Sequence, residues 1–469
     1  MNGPLWTWDA ADLAAAIRKR EVSAREAVAA CVERMHAVNP RLNAVVADLS
    51  EEALALASRA DDAVARGDPL GPLHGVPVTT KENVDQAGCA TTNGVIAYRD
   101  LVARSDSPVV ANLRKAGAIV IGRTNTPAMS FRIDTVNDLR GRTYSPWSRG
   151  HTPGGSSGGA SSSVAAGIVP IGQGNDIAGS VRYPAFCTGI VGLRPSFGRI
   201  PAYNETATRE RAISSQLMAA QGPLARSVRD VRLALAAMAQ HDPRDPWWTP
   251  APLMGPAAPR RVAIVDAAED LGGIAPSPAV QGALLHASQA LADAGYEVVR
   301  EKTPGFARAF ELWFETLVPE FRHFMRADFE RDGDEGLRTA LSYMLDHVPP
   351  LDAPAHLRAL AERTRVIRGW NLFFAHTPLV LTVVCTEPPY EHGFDVESAE
   401  RSARVWREAS TLMAVPVLGL PGVAVPTGIA GGLPLGVQIV GPRFREDLVL
   451  AAAEAIEART PRLVPIDPH

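Results

Sequence analysis

An α/β fold, with helices laid over a mostly buried sheet, is what this 469-residue sequence predicts. Three observations carry it. Helix-like and strand-like segments alternate along the chain, the order that builds a sheet covered by helices. The strand-like segments are apolar runs, as expected of strands buried on both faces. Hydrophobic side chains make up 46 % of the chain, enough for a large core.

Taken in order, Ser23-Ala-Arg-Glu26 has the form of a capping box, and Ala27, Val28, Cys31, Val32 and Met35 follow at helical spacing. A second helix is expected over 51–65, ending near Gly67 and Pro69. The run 73–81, LHGVPVTTK, reads as a short apolar strand passing into polar residues. A helix over 108–116, closed by Gly117, leads into a strand over 118–122. Helix-then-strand order recurs at 229–239 to 261–266, and at 280–294 to 296–300. The proline-rich stretch 242–260 is a domain linker or a long surface loop, with the loop favoured. Phe306, Phe310, Trp313, Phe314, Leu317, Phe321 and Phe324 mark one face of a long helix, which Pro319 is expected to break or kink. Packing on the core explains most of these rings, and some are expected to line an apolar pocket. From Val415 to Ala453 the chain returns to strand-like apolar runs, VAVPTG and LGVQIVG, then a helix from Asp447. Length permits one large domain or two to three smaller ones.

The formal charge of −4 gives no footprint for nucleic acid. No apolar run reaches the ~18–20 residues of a membrane span, and the first residues lack the order of a signal peptide. Cys31, Cys89, Cys187 and Cys385 are widely spaced and form no CxxC pair, so reduced thiols in a cytoplasmic protein are expected. Positive charge is written almost wholly as arginine: there are four lysines (Lys19, Lys81, Lys115, Lys302) against 43 arginines. Arginine cannot give up its proton in a protein, whereas a buried lysine can. A basic nitrogen for catalysis would have to come from those four.

Gly154 to Ser163, GGSSGGASSS, has the composition of a flexible linker. It runs straight into the apolar VAAGIVPI, however, and a second small-residue turn, 175–180, follows. Two such turns around a buried segment suggest backbone held in unusual conformations. Gly155-Ser-Ser-Gly-Gly159 fits G-x-S-x-G, but the two prolines and glycine before it exclude the strand a nucleophile elbow needs. Gly172-Gln-Gly174 opens a dinucleotide-binding pattern that Ile177 breaks, and no lysine completes a P-loop.

Taken together, these motifs resemble the amidase signature hydrolases. Two serines between glycine pairs, a glycine-flanked serine 24 residues later at Ser180, and Lys81 in a G-x-P-x-x-x-K context 75 residues before Ser156 all match. So do Gly122-Arg-Thr-Asn-Thr-Pro127, Cys187 to Pro195, and the run ending at Gln438. The likeness spans about residues 10–460. It implies one large domain over 1–469, with a signature core at about 70–200 and a helical, aromatic-rich pocket segment at about 300–375. The implied fold is a central, mostly mixed-parallel sheet covered by helices on both faces.

The resemblance implies Ser180 as nucleophile, Ser156, in a cis peptide, as proton relay, and Lys81 as base. A serine hydroxyl needs such a base, and burial can lower a lysine by several units from ~10.4. It further implies an oxyanion hole from the backbone of Ile177, Ala178, Gly179 and Ser180. Asp176 and Arg182 are expected to pair as a brace, with Ser157 and Asn175 nearby and Met129, Trp313 and Phe314 at the substrate. His74 is expected to be structural. Asn175 stands where the family usually has threonine, and Ala178 where it has glycine, which would be strained if that position needs positive φ.

The expected activity is hydrolysis of an aryl or otherwise hydrophobic amide through a serine acyl-enzyme, extending to esters and carbamates (a urethanase activity). No metal or cofactor is implied. The expected partners are a small-molecule amide and water, without nucleic acid or membrane, on a monomer or homodimer. Alternatives are the glutaminase subunit of a tRNA-dependent amidotransferase and a catalytically silent binding protein.

Overall fold

Thirteen strands organise the computed structural model, which describes residues 3–469. The first half supplies β1 (Val45–Asp48), β2 (Pro77–Lys81), β3 (Ile119–Thr124), β4 (Val136–Asn137), β5 (Gly141–Arg142), β6 (Ile171–Asp176), β7 (Val191–Arg194) and β8 (Ala220–Ala225). The second supplies β9 (Arg261–Val265), β10 (Glu297–Val299), β11 (Leu379–Val383), β12 (Gly422–Ala430) and β13 (Leu433–Val440). Eleven form one sheet in the order β1-β3-β2-β6-β8-β7-β12-β13-β11-β9-β10, and β4 and β5 pair apart from it.

The sheet is mixed in a definite way. The sets β3-β2-β6 and β11-β9-β10 are parallel, whereas every pairing from β6 through β8, β7, β12 and β13 to β11 is antiparallel. Strands β2, β3, β8, β11 and β13 are buried along their whole length. With side chains alternating between faces, both faces must therefore be covered.

The capping box forms as the sequence predicts. Ser23 Oγ accepts from Glu26 N–H, and the Glu26 carboxylate accepts from Ser23 N–H at 2.8 Å, opening the helix Ala24–Leu42. The second helix runs Ser50–Arg66 and closes on Gly67. Stretch 242–260 is a surface loop, since β8 before it and β9 after it belong to one sheet. It is tied down through Thr249 N–H to Gly198 O and Gly255 N–H to Asp447.

Pro319 lies in the last turn of the helix Ala307–Glu320, which passes directly into a π-helical turn at Phe321–Met325. The apolar runs VAVPTG and LGVQIVG form β12 and β13 as the sequence predicts, whereas Val415–Leu418 before them closes the buried helix Ser410–Leu418. A wholly buried apolar run carries no periodicity to separate the two states.

The Gly/Ser stretch is no tether. Gly158–Ala165 is a helix with every residue buried. Glycine and serine are poor helix formers, so packing holds it. A Cβ on Gly159 would lie 2.5 Å from Asn125 N and 2.7 Å from Ala44 O, an approach only glycine permits.

Candidate active site

Lys81 ends β2, and Asn175 and Asp176 end β6, the strand paired in parallel with it. Parallel strands thus deliver these side chains at their carboxyl ends, where open α/β sheets place ligands. Lys81 is fully buried. Its Nζ lies 2.7 Å from Ser156 Oγ, 3.1 Å from Ser157 Oγ and 3.0 Å from Asn175 Oδ1. Burial drives its pKa well below the usual 10.5. Asp176 pulls the other way and loses, because its charge is already matched by arginine. Burial raises the Asp176 carboxyl, but Arg182, Arg194 and the Gly179 N–H outweigh it and hold the pKa below 3.8.

Asp176 and Arg182 pair as expected. Arg182 Nε and Nη2 reach the two carboxylate oxygens at 3.0 and 2.9 Å. The same carboxylate accepts from the Gly179 and Val181 N–H groups, capping the start of the helix Arg182–Thr188. Arg182 continues to Gln438 Oε1 at 2.6 Å and Leu412 O at 2.7 Å. That gives the matched run ending at Gln438 its physical reason.

Ser156 and Ser180 line one cavity. The two turns are joined by Ser157 N–H donating to Ser180 O at 3.2 Å, and the Gly155–Ser156 peptide is cis. Between β6 and Ser180, the loop presents a modified set of donors. Gly179 N–H is committed to Asp176 Oδ1 at 2.9 Å, so it is not free for a substrate oxygen. The N–H groups of Ile177, Ala178 and Ser180 donate to nothing else among the described residues. Ala178 is not strained. The positive φ of this loop, +98°, falls on Gly179, where a Cβ would meet Leu412 at 2.7 Å.

Asn175, in place of threonine, bonds Lys81 directly and forms a reciprocal amide pair with Asn83 at 2.9 and 3.2 Å. Asn83 also donates to Ser130 Oγ at 2.8 Å. Sequence reading missed both Asn83 and Ser130. Asn83 had a signal: it lies two positions beyond Lys81 at a strand end, where alternate residues share a face.

The cavity holds about 460 Å³, within the range for a small-molecule site. Met129 and Trp313 line it as expected, together with Leu317, Phe321 and Phe329. Phe314 does not. Successive helix residues point ~100° apart, so with Trp313 turned inward the Phe314 ring packs instead on Phe310, His347 and Trp406. Phe306 likewise stacks on Trp370, away from the cavity. His74 is structural, bonded through Nε2 to Ala60 O at 2.9 Å. No helix among the described residues is long and apolar enough to cross a membrane.

The fold recurs in known proteins. The amidase family model matches residues 26–450. An indoleacetamide hydrolase of Bradyrhizobium diazoefficiens is 49 % identical, over 98 % of this chain and 87 % of its own. A subunit of the glutamyl-tRNA(Gln) amidotransferase of Carboxydothermus hydrogenoformans is 31 % identical, over 97 % and 98 %. Among solved structures, a bacterial aryl acylamidase superposes with a TM-score of 0.83 at 26 % identity, covering 98 % of this chain and 97 % of the other. The chain is an amide-hydrolysing enzyme and belongs to the amidase signature family.

Proposed function

We propose that the chain hydrolyses a primary arylacetamide, of the indoleacetamide kind, to the carboxylic acid and ammonia through an acyl-enzyme on Ser180. One observation carries the reading: a buried lysine with a lowered pKa sits 2.7 Å from Ser156 in the wall of the cavity that Ser180 also faces.

Counting protons assigns the roles. A neutral Lys81 has two N–H bonds and one lone pair, yet three oxygens surround Nζ. Asn175 Oδ1 can only accept, so a serine must donate to the nitrogen. Ser157 has another acceptor, Asn175 O at 3.5 Å. Ser156, at the shortest distance, is the natural donor. In the proposed reaction Ser180 Oγ attacks the amide carbonyl, passes its proton to Ser156 Oγ, and Ser156 passes its own to Lys81 Nζ. The free N–H groups of Ile177, Ala178 and Ser180 receive the developing oxyanion. The Lys81 ammonium then returns a proton through Ser156 to the leaving nitrogen, and the C–N bond breaks. Water attacks the ester along the same relay in reverse, releasing the acid and restoring Ser180. Aryl esters and carbamates pass through the same tetrahedral geometry and are expected as secondary substrates.

The aromatic wall and the 49 % identical relative favour an aryl group over glutamine. Glutamine would need a counter-ion for its α-carboxylate. Of the arginines on the cavity wall, Arg132 is held by a two-point pair with Asp395 at 3.0 and 2.7 Å and Arg209 pairs with Asp328, which leaves Arg211 as the side chain that would have to serve. The test is ammonia release by the purified chain from indole-3-acetamide, phenylacetamide, hexanamide and glutamine, with Ser180→Ala alongside. Turnover of the arylacetamides above the others supports the reading. Turnover of glutamine alone replaces it with the glutaminase role of an amidotransferase, and no turnover would favour a silent binding protein.

A further inference from the structure

We infer that Trp313 is a positioning residue of the oxyanion loop, acting through the hydrogen bond from its indole Nε1–H to the Ile177 carbonyl. The inference rests on the function proposed above and concerns how its oxyanion donors are aimed.

The argument is one of peptide planes. In a trans peptide the C=O and the N–H of the next residue point in opposite directions and are fixed together. Whatever grips the carbonyl of residue i therefore sets the direction of the N–H of residue i+1. All three uncommitted donors of the loop are held this way. Asp176 O accepts from Arg194 Nη1 at 2.6 Å, which sets the Ile177 N–H. Ile177 O accepts from Trp313 Nε1 at 3.1 Å, which sets the Ala178 N–H. Gly179 O accepts from Tyr183 N–H at 2.7 Å, which sets the Ser180 N–H. The remaining plane, Ala178–Gly179, presents the N–H that Asp176 Oδ1 takes. Each carbonyl is drawn toward the protein, so each paired N–H is turned away from that anchor. Ile177, Ala178 and Ser180 are half-buried against the cavity, whereas Gly179 is buried.

The three anchors are unlike. Tyr183 N–H belongs to the first turn of a helix and Arg194 to a sheet strand. Trp313 comes from the aromatic wall of the cavity, on the helix Ala307–Glu320. The wall that contacts the substrate's apolar part thus also aims one donor at its carbonyl. A ring that only filled space would not need its N–H there.

Two replacements isolate that bond. Trp313→Phe keeps an aromatic ring and removes the donor. Incorporating 3-benzothienylalanine at position 313 keeps the shape of the bicyclic ring and removes only the N–H, so folding is not at issue. With an arylacetamide substrate, both should lower kcat by about tenfold or more, and in the benzothienyl protein, which keeps the shape of the wall, KM should change less than threefold. The inhibition constant of an aryl trifluoromethyl ketone, whose adduct oxygen occupies the oxyanion position, should rise in step. The inhibition constant of the aryl acetic acid product should stay within threefold. Wild-type kcat in the benzothienyl protein would overturn the inference, as would a change in KM alone. Failure of the underlying function would look different, since activity would then survive Ser180→Ala in the unmodified protein.

Discussion

The carboxyl ends of β2 and β6 and the helical wall contributed by residues 313–344 face one cavity but are built on opposite principles. Lys81 Nζ is held by three hydrogen bonds, to Ser156, Ser157 and Asn175. One carboxylate, Asp176, ties together two arginines and two backbone N–H groups. The wall is apolar and packs edge to face: Phe131 meets Phe321 and Phe329 at 5.8 and 5.4 Å. It reaches the reacting loop through a hydrogen bond from Trp313. Hydrogen-bonded networks fix direction and fail when one member is lost. Apolar contacts fix volume and tolerate exchange of like for like. Under the proposed function, the first region sets which chemistry is done, and the second sets on what.

The largest effects should come from breaking the first region. Ser180→Ala and Lys81→Ala are each expected to lower kcat by roughly 10⁴-fold or more, with little change in thermal stability for Ser180→Ala, measured by steady-state kinetics and calorimetry. Arg182→Met should follow, in stability as well as activity. It strands the buried Asp176 carboxylate, a loss of about 3–5 kcal/mol in denaturant titration. A well-folded, active Arg182→Met would mean that the brace is not what holds the loop.

The pH dependence sharpens the same contrast. Protonated Lys81 cannot accept a proton, so kcat/KM should fall as pH drops through its lowered pKa. Folding also weakens its hold on that proton. The unfolded state then binds more protons between the lowered value and 10.5, and stability gains a positive slope with pH in that window. Lys81→Met should remove that slope in a series of melting curves. An unchanged slope would mean Lys81 is charged in the folded protein.

The wall should give smaller and differently divided effects. Phe321→Leu keeps the site apolar and is expected to raise KM by about three- to tenfold for arylacetamides, with kcat much less affected. The smallest effect belongs to the outer face of the same helix. Arg308 there bridges Glu311, Glu315 and Glu362 at 2.7–2.8 Å, largely in reach of solvent. Arg308→Ala should lower stability by about 1 kcal/mol or less and leave kcat/KM intact.

The same division explains what was legible in the sequence. Lys81, Ser156 and Ser180 were singled out by local motifs that resemble those of the family, and the structure brings Lys81 and Ser156 into contact and forms the expected Asp176–Arg182 pair. The helix caps were legible for the same reason. The antiparallel centre of the sheet was not, because pairings such as β7 with β12 join residues more than 200 positions apart and leave no local trace. The helix inside GGSSGGASSS was hidden because its propensity points the other way and tertiary packing overrides it. Phe314 was misplaced as a pocket residue because both it and Trp313 are buried aromatic residues, and only the neighbouring helices decide which ring turns inward. Arg194 read as part of a matched run. Its grip on the Asp176 carbonyl depends on the pairing of β7 beside β8, which only the folded sheet supplies.

The central claim is that Ser180, activated through Ser156 by a neutral Lys81, carries the acyl group. Its most direct test is to quench the purified enzyme within milliseconds of mixing with an activated aryl ester and to map the adduct by peptide mass spectrometry. The account predicts one acyl group on the peptide containing Ser180, formed in the wild type and lost in both Ser180→Ala and Lys81→Ala. An acyl group on Ser156 or elsewhere, or undiminished labelling in Lys81→Ala, would contradict it.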